Sequence, residues 1–277
     1  MYHIFADVAQ TTDQGKTLHI TGGDYHHIVR VLRMKEGDEL SVSFRGDEVP
    51  AITASSRVSE EQPEAEGRAE YRYGIEHITG DTVVCTLRFV KRDTAELPVR
   101  LILLQGLPKG DKMEQIIEKN TELGIAEIVP VTLKRCVVKL DGKKAVSRVE
   151  RWNKIAEAAA KQARRGVIPR VTNVMSFPEA LAYVRDADLK LLPYELECVE
   201  EGETAEGKTG MKRTRELMER AQPGRTVVFF IGPEGGFEEK EVQTAREAGF
   251  EPVTLGGRIL RTETAGFTVT AWFAYRF

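Results

Sequence analysis

The sequence predicts an α/β protein whose larger part is a mostly parallel sheet covered by helices on both faces. After Pro98, continuous apolar runs of the kind that form buried parallel strands alternate with helical stretches. Before Pro98, short strand-like runs are separated by turn pairs such as Gly37-Asp38 and Gly80-Asp81. We therefore expect two domains, a β-rich one over residues 1–94 and an α/β one over residues 95–277.

Short strands and one or two helical turns are expected in the N-terminal domain. The helical turns are expected around Asp24–Met34. The predicted strands are Thr17–Ile20, Glu39–Phe44, Tyr71–His77 and Thr82–Val90. Residues 54–70 are polar with little apolar content, and we interpret them as a flexible insertion.

Strands and helices alternate along the C-terminal domain. The predicted strands are Val99–Gln105, Glu127–Val131, Leu189–Pro193, Thr226–Ile231 and Glu251–Leu255. The predicted helices are Asp111–Leu123, Val146–Arg165, Phe177–Arg185, Met211–Ala221, Glu238–Ala248 and Thr262–Arg276. A polar segment near 197–210 is expected to form an exposed loop.

Two glycine-rich loops are the strongest functional signal. Gly232–Gly236 follows the apolar run Thr226–Ile231, and Leu255–Ala265 follows the next predicted strand. Open α/β sheets bind ligands at the carboxyl ends of their strands, and glycine lets a ligand approach the main chain closely. We expect one small, partly apolar ligand held mostly by main-chain groups. The alternative interpretation is that Gly232–Gly236 is only a tight turn.

Acidic residues at the start of the next helix argue against a phosphate ligand. Glu234, Glu238, Glu239 and Glu241 stand where a phosphate-binding loop places a lysine and a hydroxyl. No G-x-G-x-x-G follows a predicted strand, so a dinucleotide is not expected. A ligand with a neutral base and a positive centre fits better, and S-adenosylmethionine is the common ligand of this kind.

These loops also carry a family resemblance. Gly232–Gly236, Leu255-Gly256 and Arg258–Ala265 together resemble the knotted SPOUT methyltransferases, and most closely the 16S ribosomal RNA uridine N3-methyltransferases. Weaker matches, in the same order, are His27–Arg33 with Gly37-Asp38, Lys109-Gly110 with Met113-Glu114, Lys119 with Thr121–Gly124, Pro130 with Arg135, and Gln162 with Arg165 and Pro169. Lys161 departs from the family, which usually has Glu before this Gln.

The resemblance implies a trefoil knot in the C-terminal α/β domain, a PUA-like RNA-binding β-barrel at the N-terminus, and a homodimer. It also implies methylation of N3 of a specific uridine in 16S ribosomal RNA of the small subunit, with S-adenosylmethionine as the cofactor. Two alternatives stay open: a ribose 2′-O-methyltransferase on the same fold, and a non-catalytic RNA-binding assembly factor.

Site residues follow from the loops and from the resemblance. The expected cofactor-binding residues are Leu192, Pro193, Tyr194, Gly232, Pro233, Glu234, Gly235, Gly236, Leu255, Gly256, Ile259, Leu260 and Arg261. Arg165 and Glu234 are the candidate catalytic residues, although helix capping would also explain Glu234. Arg261 and Glu263 are alternatively a structural ion pair. The expected RNA contacts are His27, Arg30, Arg33, Arg135, Arg164 and Arg165.

Charge distribution supports an RNA partner although the net charge is −3. Residues 134–170 hold twelve Lys or Arg against three acids, a block that can neutralise phosphates; a solvated helix is the alternative. No apolar run reaches the length of a membrane span. The three cysteines are far apart, and the five histidines lie before residue 78 without metal-ligand spacing. We expect a cytoplasmic protein without metal.

Overall fold

The computed structural model describes residues 1–46, 50, 69–92, 95–140, 142–194 and 208–277. Most of the expected insertion near 54–70 and of the loop near 197–210 lies outside the described residues. The chain forms two compact units. The first is Met1–Glu96 with Arg164–Ile168, and the second is Leu97–Ala163 with Pro169–Phe277. The short segment Arg164–Ile168 therefore lies with the first unit, and a boundary at residue 94 stays a prediction.

The first unit is built on a six-stranded sheet. Its elements in chain order are β1 (Tyr2–Ala6), β2 (Thr11–Thr12), β3 (Thr17–Ile20), α1 (Gly22–His26) with a π-helical turn (His27–Val31), β4 (Glu39–Phe44), β5 (Ala69–Ile78) and β6 (Val83–Arg92). The strand order is β1-β4-β5-β6-β3-β2. Strand β1 pairs with β4 in parallel, and the other neighbours are antiparallel.

Alternation along the strands explains the core of this unit. Leu40 and Val42 of β4 and Tyr71, Tyr73 and Ile75 of β5 are all buried, as expected when every second residue faces one side of a sheet. The predicted β-rich region is thus confirmed. Strands β1 and β2 were not predicted. β1 pairs in parallel with a strand distant in sequence, and no local turn signals such a pair.

The second unit is a seven-stranded sheet in which every pair is parallel. Its elements are β7 (Arg100–Gly106), α2 (Lys112–Glu122), β8 (Glu127–Thr132), α3 (Gly142–Gln162), β9 (Arg170–Val171), β10 (Met175–Ser176), α4 (Phe177–Tyr183), β11 (Leu189–Pro193), α5 (Lys208–Glu219), β12 (Thr226–Ile231), α6 (Glu239–Glu247), β13 (Glu251–Val253) and α7 (Thr262–Arg276). The order is β10-β8-β7-β12-β11-β13, and β9 also pairs with β8.

Burial of consecutive residues shows that both faces of this sheet are covered. Val227, Val228, Phe229 and Phe230 of β12 are each 0% exposed, although neighbouring side chains point to opposite faces. This is why the strand reads as a continuous apolar run rather than an alternating one. The predicted α/β class with a parallel sheet is confirmed. The trefoil knot stays a prediction.

Helix α3 differs most from its predicted bounds. It begins at Gly142 and ends at Gln162, whereas Val146–Arg165 was predicted. Arg164 has a φ of 54°, a left-handed conformation that no helical residue adopts. Arg165 therefore lies beyond the helix. The two-residue strands β9 and β10 were missed because so short a segment carries no periodicity.

Candidate functional site

Three neighbouring strands of the second unit end around one cavity. β12, β11 and β13 are adjacent and parallel, so their carboxyl ends meet at the same edge of the sheet. The cavity has a volume of about 510 Å³, within the range of small-molecule sites. The predicted residues that line it are Pro193, Tyr194, Gly232, Pro233, Glu234, Gly235, Gly236, Leu255, Gly256, Ile259, Leu260 and Arg261.

Leu192 is the predicted cofactor residue that does not line the cavity. Its side chain is 0% exposed and belongs to the core of the second unit. Its neighbour Pro193 ends β11 at the cavity, and Tyr194 follows with its N–H donated to the Val253 carbonyl at 3.0 Å. Leu192 thus packs in the core next to Pro193, which lines the cavity.

Loop A, defined as Gly232–Gly236, is braced from several sides. A Cβ on Gly106, the last residue of β7, would lie 2.6 Å from Pro233 Cδ, so the two backbones touch. Thr262 Oγ1 donates to the Gly232 carbonyl at 2.7 Å, and Gln105 Nε2 donates to Thr262 Oγ1 at 2.9 Å. These contacts fix the loop before any ligand arrives.

The other side of loop A is held by Arg135. Its Nη1 donates to the Gly235 carbonyl at 2.9 Å, and Arg135 also lines the cavity. A Cβ on Gly235 would lie 3.1 Å from Arg135 Cβ. Gly236 has a φ of 65°, which an L side chain rarely adopts, so the turn favours glycine at this position. At Gly235 an added side chain would be crowded by Arg135.

A lysine and two carboxylates lie at the cavity edge beside loop A. Lys112 Nζ lies 2.9 Å from Glu234 Oε1 and 3.5 Å from Glu263 Oε2, and the Lys109 N–H donates to Glu234 Oε1 at 3.1 Å. No ion pair joins Arg261 and Glu263 among the described residues. The structural ion pair considered between Arg261 and Glu263 is therefore not formed, and Glu263 pairs with Lys112 instead.

Protonation of this cluster follows from its contacts. Partial burial opposes ionisation of Glu234, but hydrogen bonds from Lys112 and from the Lys109 N–H outweigh it and hold the pKa of Glu234 below its usual value. The Glu234 carboxylate raises the pKa of Lys112. The Lys112–Glu234 pair is therefore ionised at neutral pH.

The acids that follow loop A have separate tasks. Glu241 is 9% exposed, and its carboxylate accepts hydrogen bonds at 2.9 Å from the backbone N–H groups of Glu238 and Lys134. It thereby caps α6 and ties it to the segment after β8. Glu239 is exposed and lines the cavity.

Loop B, defined as Leu255–Arg261, forms the opposite wall. Thr254 Oγ1 accepts the Gly256 N–H at 3.1 Å, and Gly256 has a φ of 101°. Beyond it the loop makes few contacts: Ile259 is 83% exposed. Within the described part of the chain, the N–H groups of residues 257–260 donate no hydrogen bond. Main-chain donors and an apolar side chain therefore face a ligand here.

Several cavity residues outside the two predicted loops were missed from the sequence: Lys112, Ile231, Phe237, Glu239 and Thr254. Arg258, Thr262 and Ala265 also line the cavity and belong to the predicted ligand loop Leu255–Ala265. Lys112 lies inside a segment of the family resemblance, so that signal could have found it, and Thr254 immediately precedes loop B. Phe237 is buried against Phe230, and its apolar character gave no hint of a ligand.

The first unit holds most of the predicted RNA contacts. His27 stacks on Tyr2 with ring centroids 4.9 Å apart, and Arg30 and Arg33 are exposed. Arg164 is exposed as well, and like Arg33 it has a φ of 54°. Arg135 belongs to the second unit, where it braces loop A.

Arg165 has a different environment from the one expected of an RNA contact. It is 2% exposed, and its Nε and Nη2 donate to the Glu96 carboxylate at 3.1 and 2.5 Å. The Val167 N–H donates to the same carboxylate at 3.2 Å. In this conformation the guanidinium is committed to a buried ion pair. A catalytic or RNA-binding role for Arg165 stays a prediction.

The basic block contains paired as well as unpaired charges. Arg151 Nε lies 2.8 Å from Glu114 Oε1, and Lys161 Nζ lies 3.2 Å from Glu157 Oε1. These pairs reduce the positive charge of α3 that is available to phosphate. Part of the block is therefore the charge-laced helix of the alternative interpretation.

Metal clusters and membrane-spanning helices are both absent from the described residues. No group of three or more His, Cys, Asp or Glu side chains among them could hold a metal ion. None of the helices in the described ranges combines the length and the apolar character that crossing a membrane requires. Cys85 and Cys136 are free and buried, and burial raises the pKa of both thiols, to about 12 for Cys85.

Known proteins match along most of the chain. The family described as RNA methyltransferase domain matches residues 95–274, and the RNA methyltransferase PUA domain matches residues 20–52. The ribosomal RNA small subunit methyltransferase E of Bacillus subtilis (strain 168) is 36% identical over 267 residues, which cover 96% of this chain and 93% of that protein.

Solved structures agree with these matches. The ribosomal RNA small subunit methyltransferase E from Neisseria gonorrhoeae, bound to S-adenosyl methionine, is 26% identical with a TM-score of 0.74, covering 100% of this chain and 98% of that one. A putative methyltransferase from Legionella pneumophila, in complex with the bound cofactor SAM, is 27% identical with a TM-score of 0.73, covering 99% and 97%. The PUA-like character expected of the N-terminal region is confirmed.

Proposed function

Because this chain belongs to the family of ribosomal RNA small subunit methyltransferases E, we propose that it methylates N3 of one uridine in 16S ribosomal RNA. The methyl donor in this proposal is S-adenosylmethionine. The observation that carries the proposal is the cavity at the ends of β11, β12 and β13, lined by two glycine-containing loops and edged by carboxylates. Relatives with the same fold have S-adenosylmethionine bound.

The residues present fit this donor. Loop A and loop B would hold its polar groups through main-chain atoms, and Ile259 and Leu260 would cover the adenine. The cavity lining carries charge of both signs, with Glu234 and Glu239 beside Lys112, Arg135, Arg258 and Arg261, and this suits a donor that bears both a cationic sulfur and an amino-acid carboxylate. When bound, S-adenosylmethionine supplies a methyl group on a positively charged sulfur.

Methylation of N3 requires the proton on that nitrogen to leave. The site must align the uridine with the donor, exclude water, and help to remove the proton or stabilise the resulting anion. We assign Glu234 the hydrogen bond from N3–H, since its carboxylate is ionised. The lowered pKa makes Glu234 a weak base, so full transfer to its oxygen requires Lys112 to move away.

Arg165 contributes to this proposal as a positioning residue. Its pair with Glu96 fixes the backbone next to Arg164, whose exposed side chain is available to phosphate. His27, Arg30, Arg33 and Arg135 complete the proposed RNA contacts. An N3 atom is hidden in a paired helix, so the target uridine must be unpaired or extruded.

A homodimer in the cytoplasm completes the proposal. On α7, Val269 and Phe273 are buried, whereas Tyr275 is 95% exposed and Phe277 is 39% exposed. The exposed aromatic groups at the end of this helix suit a contact with a second copy. Sedimentation of the purified protein at micromolar concentration should show the dimer mass, and a monomer would contradict this part.

Donor binding separates an enzyme from an RNA-binding assembly factor. Isothermal titration of the wild type with S-adenosylmethionine should give micromolar affinity. Gly235→Val should abolish donor binding because its side chain would enter the cavity that Gly235 lines and would crowd Arg135, whereas most of the RNA affinity should stay because Arg135 is only one of the proposed RNA contacts. Gly142→Ala is the matched control, since no atom lies within 4 Å of its added Cβ and Gly142 does not line the cavity. Millimolar or absent binding to the wild type would favour the assembly factor.

The product identifies the reaction. Nucleoside mass spectrometry of 16S ribosomal RNA from a strain that lacks the gene should show loss of 3-methyluridine, restored by the wild-type gene but not by Gly235→Val. Loss of a ribose-methylated nucleoside instead would favour the 2′-O reaction.

A further inference from the structure

A small apolar tip projects from the first unit between two arginines. Val31 is 57% exposed and Leu32 is 42% exposed. Arg30 precedes them, Arg33 follows them, and both arginines are exposed. Neither arginine forms an ion pair within the described ranges. Two adjacent branched aliphatic side chains are therefore exposed to water between two cations.

The backbone holds this tip in a fixed shape. The chain leaves α1 through a π-helical turn, in which the Leu32 N–H donates to the His27 carbonyl at 2.9 Å. The Met34 N–H donates to the Ile28 carbonyl at 3.0 Å, and Arg33 adopts a φ of 54°. A left-handed arginine is strained, and both π turns and such strain concentrate at functional positions.

The core of the unit anchors the tip from below. Ile28 is 0% exposed, and Val29 and Met34 pack against the same buried cluster. Tyr25 Oη donates to the carbonyls of Thr79 and Gly80, which ties α1 to the turn between β5 and β6. Val31 and Leu32 are therefore exposed on a rigid support rather than on a frayed end.

Nearby acids do not cancel the charge of the arginines. Asp38 Oδ2 accepts the Lys35 N–H at 2.8 Å. Glu36 Oε1 accepts the Ile78 N–H at 3.4 Å and lies 3.7 Å from His77 Nδ1. Both carboxylates thus serve the turn that follows the tip, and the positive charge stays with the apolar pair.

We infer that Val31 and Leu32 contact unpaired nucleobases of the RNA substrate while Arg30 and Arg33 neutralise the adjacent phosphates. This deepens the proposed function and rests on its RNA substrate. Paired A-form RNA hides the faces of its bases, whereas unpaired bases present an apolar face that aliphatic side chains can cover. The tip also lies within residues 20–52, which match the RNA methyltransferase PUA domain.

Charge and size favour RNA over a protein partner. A stable protein interface engages roughly 20 to 30 residues on each side, far more than this tip offers. Two cations beside an apolar pair match the alternation of phosphate and base along a single strand. The tip therefore selects single-stranded over double-stranded RNA.

The test compares two RNA probes of equal length with the full-length protein. Fluorescence anisotropy measures affinity for a single-stranded oligonucleotide and for the corresponding duplex. The double variant Val31→Ser with Leu32→Ser should bind the single strand about tenfold more weakly, with a change of less than about twofold for the duplex. Its salt dependence should match the wild type, because an aliphatic contact releases no counterions.

Two further variants define the contact. Phe89→Ser is the matched control, since Phe89 is 43% exposed on β6 of the same unit, and it should leave both affinities unchanged. Arg30→Ala should weaken binding to both probes and lower the slope of log affinity against log salt by about one. Unchanged unfolding temperatures, donor affinities and sedimentation should accompany every variant.

Three results would overturn the inference. They are equal losses on both probes, no loss on the single strand, and a change in oligomeric state of the double variant, which would make the tip a protein contact. A failure of the proposed function is distinguishable: the wild type would then bind neither RNA nor S-adenosylmethionine. If the wild type methylates RNA and the double variant binds single-stranded RNA as tightly as the wild type, only the proposed role of the tip is contradicted.

Discussion

Loop A and loop B line the same cavity but differ in how firmly the fold holds them. Loop A touches Gly106 of the central strand β7, accepts a hydrogen bond from Arg135, and is joined through Glu234 to Lys112. Beyond Gly256, loop B exposes Ile259 and leaves its N–H groups without partners in the described chain. One wall is preformed, and the other has bonding capacity left for a ligand.

Because the two loops differ in their contacts with the fold, substitutions in them should affect stability and ligand binding differently. Changes beneath loop A should disturb the fold and the site together, because its contacts reach into the central sheet. Changes in loop B should alter ligand affinity with little effect on folding, because few native contacts are lost.

The largest effect is expected beneath loop A. In Gly106→Ala the new Cβ would lie 2.6 Å from Pro233 Cδ and 2.7 Å from the Pro233 backbone nitrogen. Backbone cannot move aside cheaply, so we expect donor affinity to fall about a hundredfold and the unfolding temperature to fall by about 5 °C. Titration calorimetry and thermal unfolding measure the two effects. Gly142→Ala is the control, and normal donor affinity in Gly106→Ala would show that loop A is not rigid.

An intermediate effect, confined to binding, is expected in loop B. Ile259→Ser should reduce donor affinity about tenfold, because an 83% exposed side chain would be buried only when the ligand is present. The unfolding temperature of the free protein should stay unchanged. Val137→Ser, at a 66% exposed position away from the cavity, is the matched control. A loss of stability in Ile259→Ser would remove the distinction between the two loops.

The smallest effect concerns the charges that brace loop A. The folded-state pKa of Glu234 lies below its ordinary value of 4.5, so its contribution to stability is complete above that pH and is lost as the pH falls through the folded-state value. Glu234→Gln should lower donor affinity about threefold at neutral pH and should flatten the acid dependence of unfolding. Denaturant unfolding between neutral pH and pH values below 4.5 measures this.

A matched acid provides the control for the charge effect. Glu239 also lines the cavity but forms no ion pair in the described part of the chain. Glu239→Gln should keep the acid dependence of the wild type. If Glu234→Gln also keeps the wild-type dependence of unfolding on acid pH, Lys112 does not stabilise the folded protein through Glu234.

Local sequence signals predicted the strands of the parallel sheet well. Leu189–Pro193 and Thr226–Ile231 have the predicted bounds because each is a mostly apolar run that ends where a polar loop begins. The same signals missed β1, whose only partner is distant in sequence. They also placed Arg165 inside α3, since nothing local reveals the left-handed turn at Arg164.

For the site, the sequence predicted the two glycine-containing loops but not the side chains that hold loop A in place. The glycines of both loops were identified because glycine marks unusual backbone geometry. Lys112 and its pair with Glu263 were missed, because ion pairs between helices depend on how the helices pack. The tip at Val31 and Leu32 read as ordinary helix, and only the folded unit leaves these side chains in solvent.

The sequence by itself determined the α/β class, the position of the ligand loops and the chemical kind of ligand. Each of these depends on residues close together in the chain: apolar runs, glycine clusters and neighbouring acids. Tertiary structure decided that Glu234 is held by Lys112, that Arg165 is buried against Glu96, and that loop A is braced by distant segments of the chain while loop B makes few such contacts. These facts depend on contacts between distant segments, which exist only once the chain has packed.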